Sequence, residues 1–307
     1  MKKIYLLLIS LLIGGNIIGC SKEVTNINNE HKITVYTTIF PLYDFVKNIG
    51  KDKIDLNYII PPGTEPHDYE ITPKSMKDIQ NADLLIKNGL GIDRFADKIQ
   101  SESDLSIVVA SEGIDPLSYS DEHNNKNKKE RNHGEYDPHI WLDIDLAIKE
   151  CENIKNALIE ADEDNKSYYE HNYNEYIKSL RALQNNYNEE LKDLQNKKII
   201  VSHDAYGYLC KKYDIEQVSV TGITPNQEPS LSKISEIIDF SKENNIEYVL
   251  FDGLVNPKVA QTIANEANIK TDILYSIDGI TKSDFDNNED YISLMKKNLK
   301  TLKLVLK

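Results

Sequence analysis

The sequence predicts an α/β chain of two lobes, each with a mostly parallel β-sheet flanked by helices, joined by one long α-helix. Three observations predict it. Strand-like and helix-like segments alternate before residue 118, and the same alternation resumes after residue 196. Between the two runs an apolar stripe of helical period extends over 164–195. Repeated β–α alternation implies parallel strands, because a parallel return needs a crossover long enough to hold a helix.

The elements follow in order. ITVYTTI (33–39) is rich in β-branched residues, and FPLYDFVKNIG (40–50) reads as a helix stopped by Gly50. IDLNYII (54–60) is a strand that runs into the loop PPGTEPHDYE. Pro73 suits the first turn of a short helix over 73–80. ADLLIKNG (82–89) and SIVVAS (106–111) are strands, with a helix over 93–100 between them. Residues 118–136 are poor in apolar side chains and dense in Asn and charge, so they read as a long mobile loop. DPHIWLD then leads into a helix over 143–160.

In the linking helix Tyr169, Tyr173, Tyr176, Leu180, Leu183, Tyr187, Leu191 and Leu194 recur at steps of three and four. The stripe stops where a strand begins, which favours one helix laid along two lobes over a coiled coil. KKIIVS (197–202), QVSVTG (217–222), EYVLFD (247–252) and TDILYS (271–276) are the strands of the second run. Helices over 204–213, 231–244 and 257–268 separate them, and an amphipathic helix covers 289–306. The lobes therefore span 33–163 and 196–307, joined by 164–195.

The first residues stand apart. MKK is a positive n-region and IYLLLISLLIGGNII an apolar stretch too short for a stable membrane span. The segment ends in IIGC, at Cys20, which resembles the lipobox of bacterial lipoproteins. That resemblance implies a signal peptide over 1–19, a diacylglycerol on Cys20, and a place on the extracytoplasmic face of the cell membrane. Residues 20–32, polar and Asn-rich, read as a flexible tether. Cys151 and Cys210 sit in no metal-ligand spacing and read as core thiols, with a disulfide as the lesser alternative. A formal net charge of −14 argues against nucleic acid and suits a protein that collects cations.

Three of the seven histidines share a setting. His67 lies in PPGTEPHDYE, His139 in DPHIWLD and His203 in SHDAYGY, each within two residues of a carboxylate: Asp68, Asp137 and Asp204. Histidine ligands have their second ring nitrogen held by an acceptor, and acceptors are plentiful here. His67 and His203 follow strands, where open α/β sheets bind ligands, and His139 opens a helix. Asp252 or Asp278, each at a strand end of the second lobe, supplies a fourth ligand. Three imidazoles and a carboxylate without thiolate suit Zn²⁺, whereas Mn²⁺ prefers more oxygen ligands. His31 in the tether and His171 on a polar helix face read as ordinary surface residues.

PPGTEPHDYEITP, DPHIWLD and SHDAYGY, in this order and spacing, resemble the zinc/manganese-binding lipoproteins of bacterial ABC importers, the metal solute-binding protein family. FDGLVNPKVAQTIANEA is similar to the family's later segment, where Glu is usual in place of Asp252. The resemblance implies a metal-type periplasmic-binding-protein-like fold, with a rigid linking helix and the metal in the cleft between lobes. It implies ligands at His67, His139, His203 and Asp278, delivery to an ABC permease, and no enzymatic activity. A monomer is expected. Manganese members carry a carboxylate where His203 stands, so the resemblance implies zinc, with manganese as the alternative. Zinc members often carry a His-rich loop before DPHIWLD; here it holds only His123 and His133, read as auxiliary. Two further readings compete. A zinc hydrolase would want a general base, and HExxH is absent. A surface adhesin would need only the lipid anchor and a structural metal. No Walker-type loop is present for ATP hydrolysis.

Overall fold

Apolar, β-branched runs build two sheets of the same topology. The computed structural model describes residues 32–100, 105–118, 136–225 and 228–307. In the first sheet β1 (Ile33–Thr37), β2 (Ile54–Tyr58), β3 (Leu84–Lys87) and β4 (Ser106–Val109) pair in parallel in the order β2-β1-β3-β4. In the second, β5 (Lys198–Val201), β6 (Glu216–Ser219), β7 (Tyr248–Phe251) and β8 (Lys270–Ile273) repeat that order as β6-β5-β7-β8, again in parallel. Each sheet therefore has a switch point beside its founding strand, where crossovers leave in opposite directions and a crevice opens at the strand ends.

The helices are α1 (Phe40–Gly50), α2 (Pro73–Ile79), α3 (Phe95–Gln100), α4 (Ile144–Ala161) and α5 (Lys166–Leu191) in the first part of the chain. Then come α6 (Gly207–Tyr213), α7 (Leu231–Glu243), α8 (Lys258–Ala267), α9 (Lys282–Asp286) and α10 (Tyr291–Val305). Strands end one to three residues earlier than the apolar runs suggest, because the last residues bend off the sheet into the loops that carry polar groups. Ile59 still donates to the Thr37 carbonyl and Ser202 to that of Leu250. The short helix α9 was not expected. Its signal is Thr281-x-x-Asp284: the Thr281 hydroxyl accepts from the Asp284 N–H at 3.0 Å and donates to its carboxylate at 2.6 Å. The loop expected over 118–136 is bracketed by an antiparallel bridge between Ser118 and Tyr136, and His123 and His133 within it lie outside the described residues. So does Cys20. Cys151 and Cys210 are buried and free, as the core reading expects. Among the described residues no helix is long and apolar enough to cross a membrane.

The apolar stripe of α5 is its buried face: Tyr169, Tyr176, Leu180, Leu183, Tyr187 and Leu191 are buried, and Tyr173 is partly so. The helix packs against α1 and α4 on one side and α10 on the other. Its tyrosines tie it to both neighbours. Tyr176 donates to Asp44 of α1 at 3.1 Å, and Tyr187 to the Met295 carbonyl of α10 at 2.6 Å. Most buried side chains form one core that runs from the first sheet through α5 to α10. A small second core of seven residues lies under α7 and α8. Period-two alternation divides the second sheet between them: Ile199, Val201 and Leu250 face the main core, Ile200 and Val249 the small one.

Asp44 is the costly member of this packing. It is buried where α1, α5 and α10 meet, and accepts from Tyr176 and from the Tyr291 N–H at 3.3 Å. Burial, then the charge of Asp290, pushes its carboxyl up to about 7. A raised carboxyl pKa means the folded chain binds the proton more tightly than the unfolded chain does. Asp44 therefore contributes a loss of stability that develops as pH rises from about 4 to about 7, on the order of 4 kcal/mol in full. Asp44→Asn should remove this component. Thermal melts of the metal-free protein, followed by circular dichroism, should show the variant gaining on the wild type between pH 5 and pH 8. A constant offset across that range would mean that Asp44 does not titrate there.

Candidate metal centre

His67 sits in a single 3-10 turn, Pro66–Asp68, after β2. Pro66 presets the first position, and the Glu65 carboxylate accepts from the His67 N–H at 3.2 Å, so the turn is capped by its own sequence. The Gly63 N–H donates to the Ile280 carbonyl at 2.7 Å, tying this loop to the segment after β8. The two approach so closely at Gly279 that a Cβ there would meet the Thr64 carbonyl at 3.2 Å and Pro66 at 3.3 Å.

His139 opens the turn Ile140–Leu142 ahead of α4. Its Nδ1 donates to Asp137 Oδ1 at 2.8 Å, and its backbone N–H to the same oxygen at 3.0 Å. That bond fixes the ring tautomer and turns Nε2 inward. Burial opposes a charged ring, but the Asp137 hydrogen bond and charge outweigh it and raise the His139 pKa. Asp137 is itself held: Tyr208 donates to its carbonyl at 2.8 Å, and at Gly207 a Cβ would stand 2.6 Å from its Oδ2. Gly207 is thus needed for close approach.

His203 follows β5 and is fully buried, with neither ring nitrogen hydrogen-bonded. Burial, then the neighbouring His139, pushes its pKa well down, so the ring is neutral. Of the adjacent carboxylates Asp137 serves its own histidine, whereas Asp204 accepts from Gln217 of β6.

Asp278 comes from the turn after β8. Its Oδ1 accepts from Ser276 Oγ at 2.6 Å and from the Gly279 N–H at 2.8 Å, while Oδ2 is buried without a partner. The residue between Ser276 and Asp278, Ile277, has φ 64°. A β-branched residue in the left-handed region is strained, and such strain persists only where the surroundings over-determine the backbone. Here they do: Trp141 Nε1 donates to the Ser276 carbonyl at 2.7 Å and the Phe40 N–H to the Asp278 carbonyl at 3.0 Å.

These four side chains meet. His67 and His139 come from the part of the chain that holds the first sheet, His203 and Asp278 from the second. One donor atom from each lies within 4.8 Å of all the others. His67 Nε2 faces His139 Nε2 at 3.2 Å and Asp278 Oδ2 at 3.6 Å. Donors about 2.0–2.1 Å from a tetrahedral ion stand ~3.3 Å apart, so the spacing already suits a four-coordinate ion. The unpartnered nitrogens of His203 and oxygen of Asp278 fit the same reading, because a buried polar atom left unbonded has a ligand to meet or a penalty to bear. His67 borders a hollow of about 550 Å³ lined also by Asp68, Tyr69, Arg94 and Tyr136.

Asp252 stays outside this group. Its Oδ1 accepts from Leu254 N–H at 2.8 Å and its Oδ2 from Ser276 N–H at 3.3 Å. Burial and then the Asp278 charge push it up to about 7. Glu65 was not singled out from the sequence, although PPGTEPHDYE contains it. Burial, then the charges of Asp278 and Asp252, push it up to about 10. Burial and mutual repulsion thus hold Glu65 and Asp252 toward their neutral forms, and a cation beside them would favour the charged ones.

The sequence model of the zinc-uptake complex component A family, described as periplasmic, matches residues 35–305. The chain belongs to this family. Among its relatives is the high-affinity zinc uptake system protein ZnuA of Bacillus subtilis, 39% identical over 277 residues, covering 89% of this chain and 87% of that protein. A second is the zinc-binding lipoprotein AdcA of Streptococcus pneumoniae, 33% identical; the match takes in 99% of this chain but 61% of that protein. The crystal structure of the Zn(II)-bound ZnuA-like domain of AdcA from Streptococcus pneumoniae superposes with a TM-score of 0.78 at 32% identity. It covers 90% of this chain and 99% of that one. Family membership agrees with the resemblance carried by the three histidine motifs.

Asp137 gives a test of the geometry. Asp137→Ala removes both bonds that hold His139, the one to its ring and the one to its main-chain N–H, and is expected to weaken zinc binding about 10–100-fold. Competition against a fluorescent chelator reads this directly. Wild-type affinity in the variant would show that the Nδ1 bond does not orient the ring.

Proposed function

We propose that the chain captures Zn²⁺ through His67, His139, His203 and Asp278 in a cleft between two lobes, 33–163 and 196–307, and delivers it to an ABC permease. Lipid on Cys20 holds it to the extracytoplasmic face of the membrane, and it works as a monomer. The observation that carries the reading is the group of four buried or nearly buried donors in which His203 and Asp278 keep atoms unbonded. Three nitrogens and one oxygen favour Zn²⁺ over Mn²⁺, which takes more oxygen ligands. Four protein ligands leave no open position, so the site suits capture and release rather than hydrolysis. The ligands are ready beforehand, with His203 neutral and His139 held by Asp137.

Titrating the metal-free protein with Zn²⁺ and Mn²⁺ in competition tests the reading. Trp141, in edge contact with the His139 ring at 5.4 Å between centroids, serves as reporter. Zinc is expected to win, and His203→Ala to lose at least about 100-fold in zinc affinity as one of four ligands goes. Unchanged zinc affinity in that variant removes the core of the proposal.

The linking helix bears on the motion. With α5 tied to α1 and α10, and Trp141 bonded to Ser276 across the two parts, loading should involve small shifts and no wide hinge closure. Small-angle scattering of metal-free and zinc-loaded protein should give nearly the same radius of gyration. A clear compaction would contradict the rigid arrangement.

A further inference from the structure

The four-residue group leaves one question of metal choice to the carboxylate, because an aspartate ligates through one oxygen or two. Through one oxygen, three histidines and Asp278 make four donors. Through two they make five, with a larger share of oxygen. The first suits Zn²⁺ and the second moves toward what Mn²⁺ takes.

The two oxygens of Asp278 are not equivalent. Oδ1 accepts two hydrogen bonds, from Ser276 Oγ at 2.6 Å and the Gly279 N–H at 2.8 Å. A carboxylate oxygen has two lone pairs, so both are engaged. Oδ2 has no partner and lies 3.6 Å from His67 Nε2. Ser276 is in turn fixed through its main chain. Its N–H donates to Asp252 Oδ2 at 3.3 Å, and its carbonyl accepts from Trp141 Nε1 at 2.7 Å. Ser276 is fully buried, so no water competes for the hydroxyl. Asp252 thus takes a part without ligating: it anchors the serine that anchors the carboxylate.

We infer that Ser276 is a specificity-determining positioning residue: with the Gly279 N–H it keeps Oδ1 of Asp278 out of the coordination shell, so that the site offers four donors and discriminates against cations that need more. This rests on the ligand set proposed above and deepens it. Recruiting Oδ1 to an ion means breaking a buried, charge-assisted hydrogen bond, which is among the stronger kind.

The test compares wild type, Ser276→Ala and Ser276→Thr in competitive titrations with Zn²⁺ and Mn²⁺. Ser276→Ala keeps both main-chain bonds, so the turn is retained. Its preference for Zn²⁺ over Mn²⁺ should shrink about tenfold, the worth of one hydrogen bond to a charged group. Ser276→Thr keeps a hydroxyl and should keep the wild-type ratio. Equal losses for both metals in Ser276→Ala, leaving the ratio unchanged, would overturn the inference. A second measurement needs no variant: a crystal structure of the wild type loaded with Mn²⁺. One Asp278 oxygen on the ion supports the inference, and two overturn it. The His203→Ala titration separates the two levels. If it leaves zinc affinity intact, the ligand set fails and this inference falls with it. If it abolishes binding while Ser276→Ala leaves the ratio untouched, only the inference fails.

Discussion

His203 is packed into the interior with both ring nitrogens unbonded, beside an Asp278 oxygen in the same condition. Each such atom costs about 1–3 kcal/mol against a hydrogen-bonded alternative. A chain free to relax would rotate these groups to partners. The structure prevents this by fixing the backbone on either side of each one. His139 is clamped by Asp137, Asp137 by Tyr208, and the Asp278 turn by Trp141 and Phe40. The strained φ of Ile277 marks how firmly that turn is imposed. The fold stores a readiness to bind, and its packing carries the cost.

The repeated sheet order explains why the donors meet. In both sheets the founding strand is flanked by the second and third, so crossovers diverge beside it and the loops there are open to side chains. His203 leaves the founding strand of the second sheet directly. His67 leaves the edge strand β2 of the first and must travel through PPGTEPHDYE to arrive. The prolines and the Glu65 cap make that path short of alternatives. α5 then fixes the distance between the two sheets by packing on helices of both.

Much of this was legible in the sequence, because strand, helix and turn signals are local. The stripe of α5 and the stop at Gly50 each follow from residues a few positions apart, whereas the 3-10 turn at His67 reads in the sequence only as a loop. The histidine trio was legible from its shared setting. What could not be read depends on tertiary register. Asp137 and Asp204 look alike in sequence, yet Asp137 reaches its own ring while Asp204 is drawn to Gln217 by the pairing of β5 with β6. Spacing alone left Asp278 and Asp252 equivalent; the structure separates them, because both Asp252 oxygens accept main-chain N–H bonds while one Asp278 oxygen stays open toward the histidines. The role of Ser276 depends on a hydroxyl that points at a carboxylate two residues on, which no spacing rule encodes.

The division of the second sheet between two cores has its own consequence. One face answers to the large core, and the other to a cluster of seven buried residues under α7 and α8. So small a cluster buries little apolar area, and segments of that kind open locally at lower free energy than the body they flank. The α7–α8 layer is therefore a sacrificial margin. It can fray, exchange its amides and accumulate substitutions while Ile199 and Val201 keep His203 in place from the opposite face.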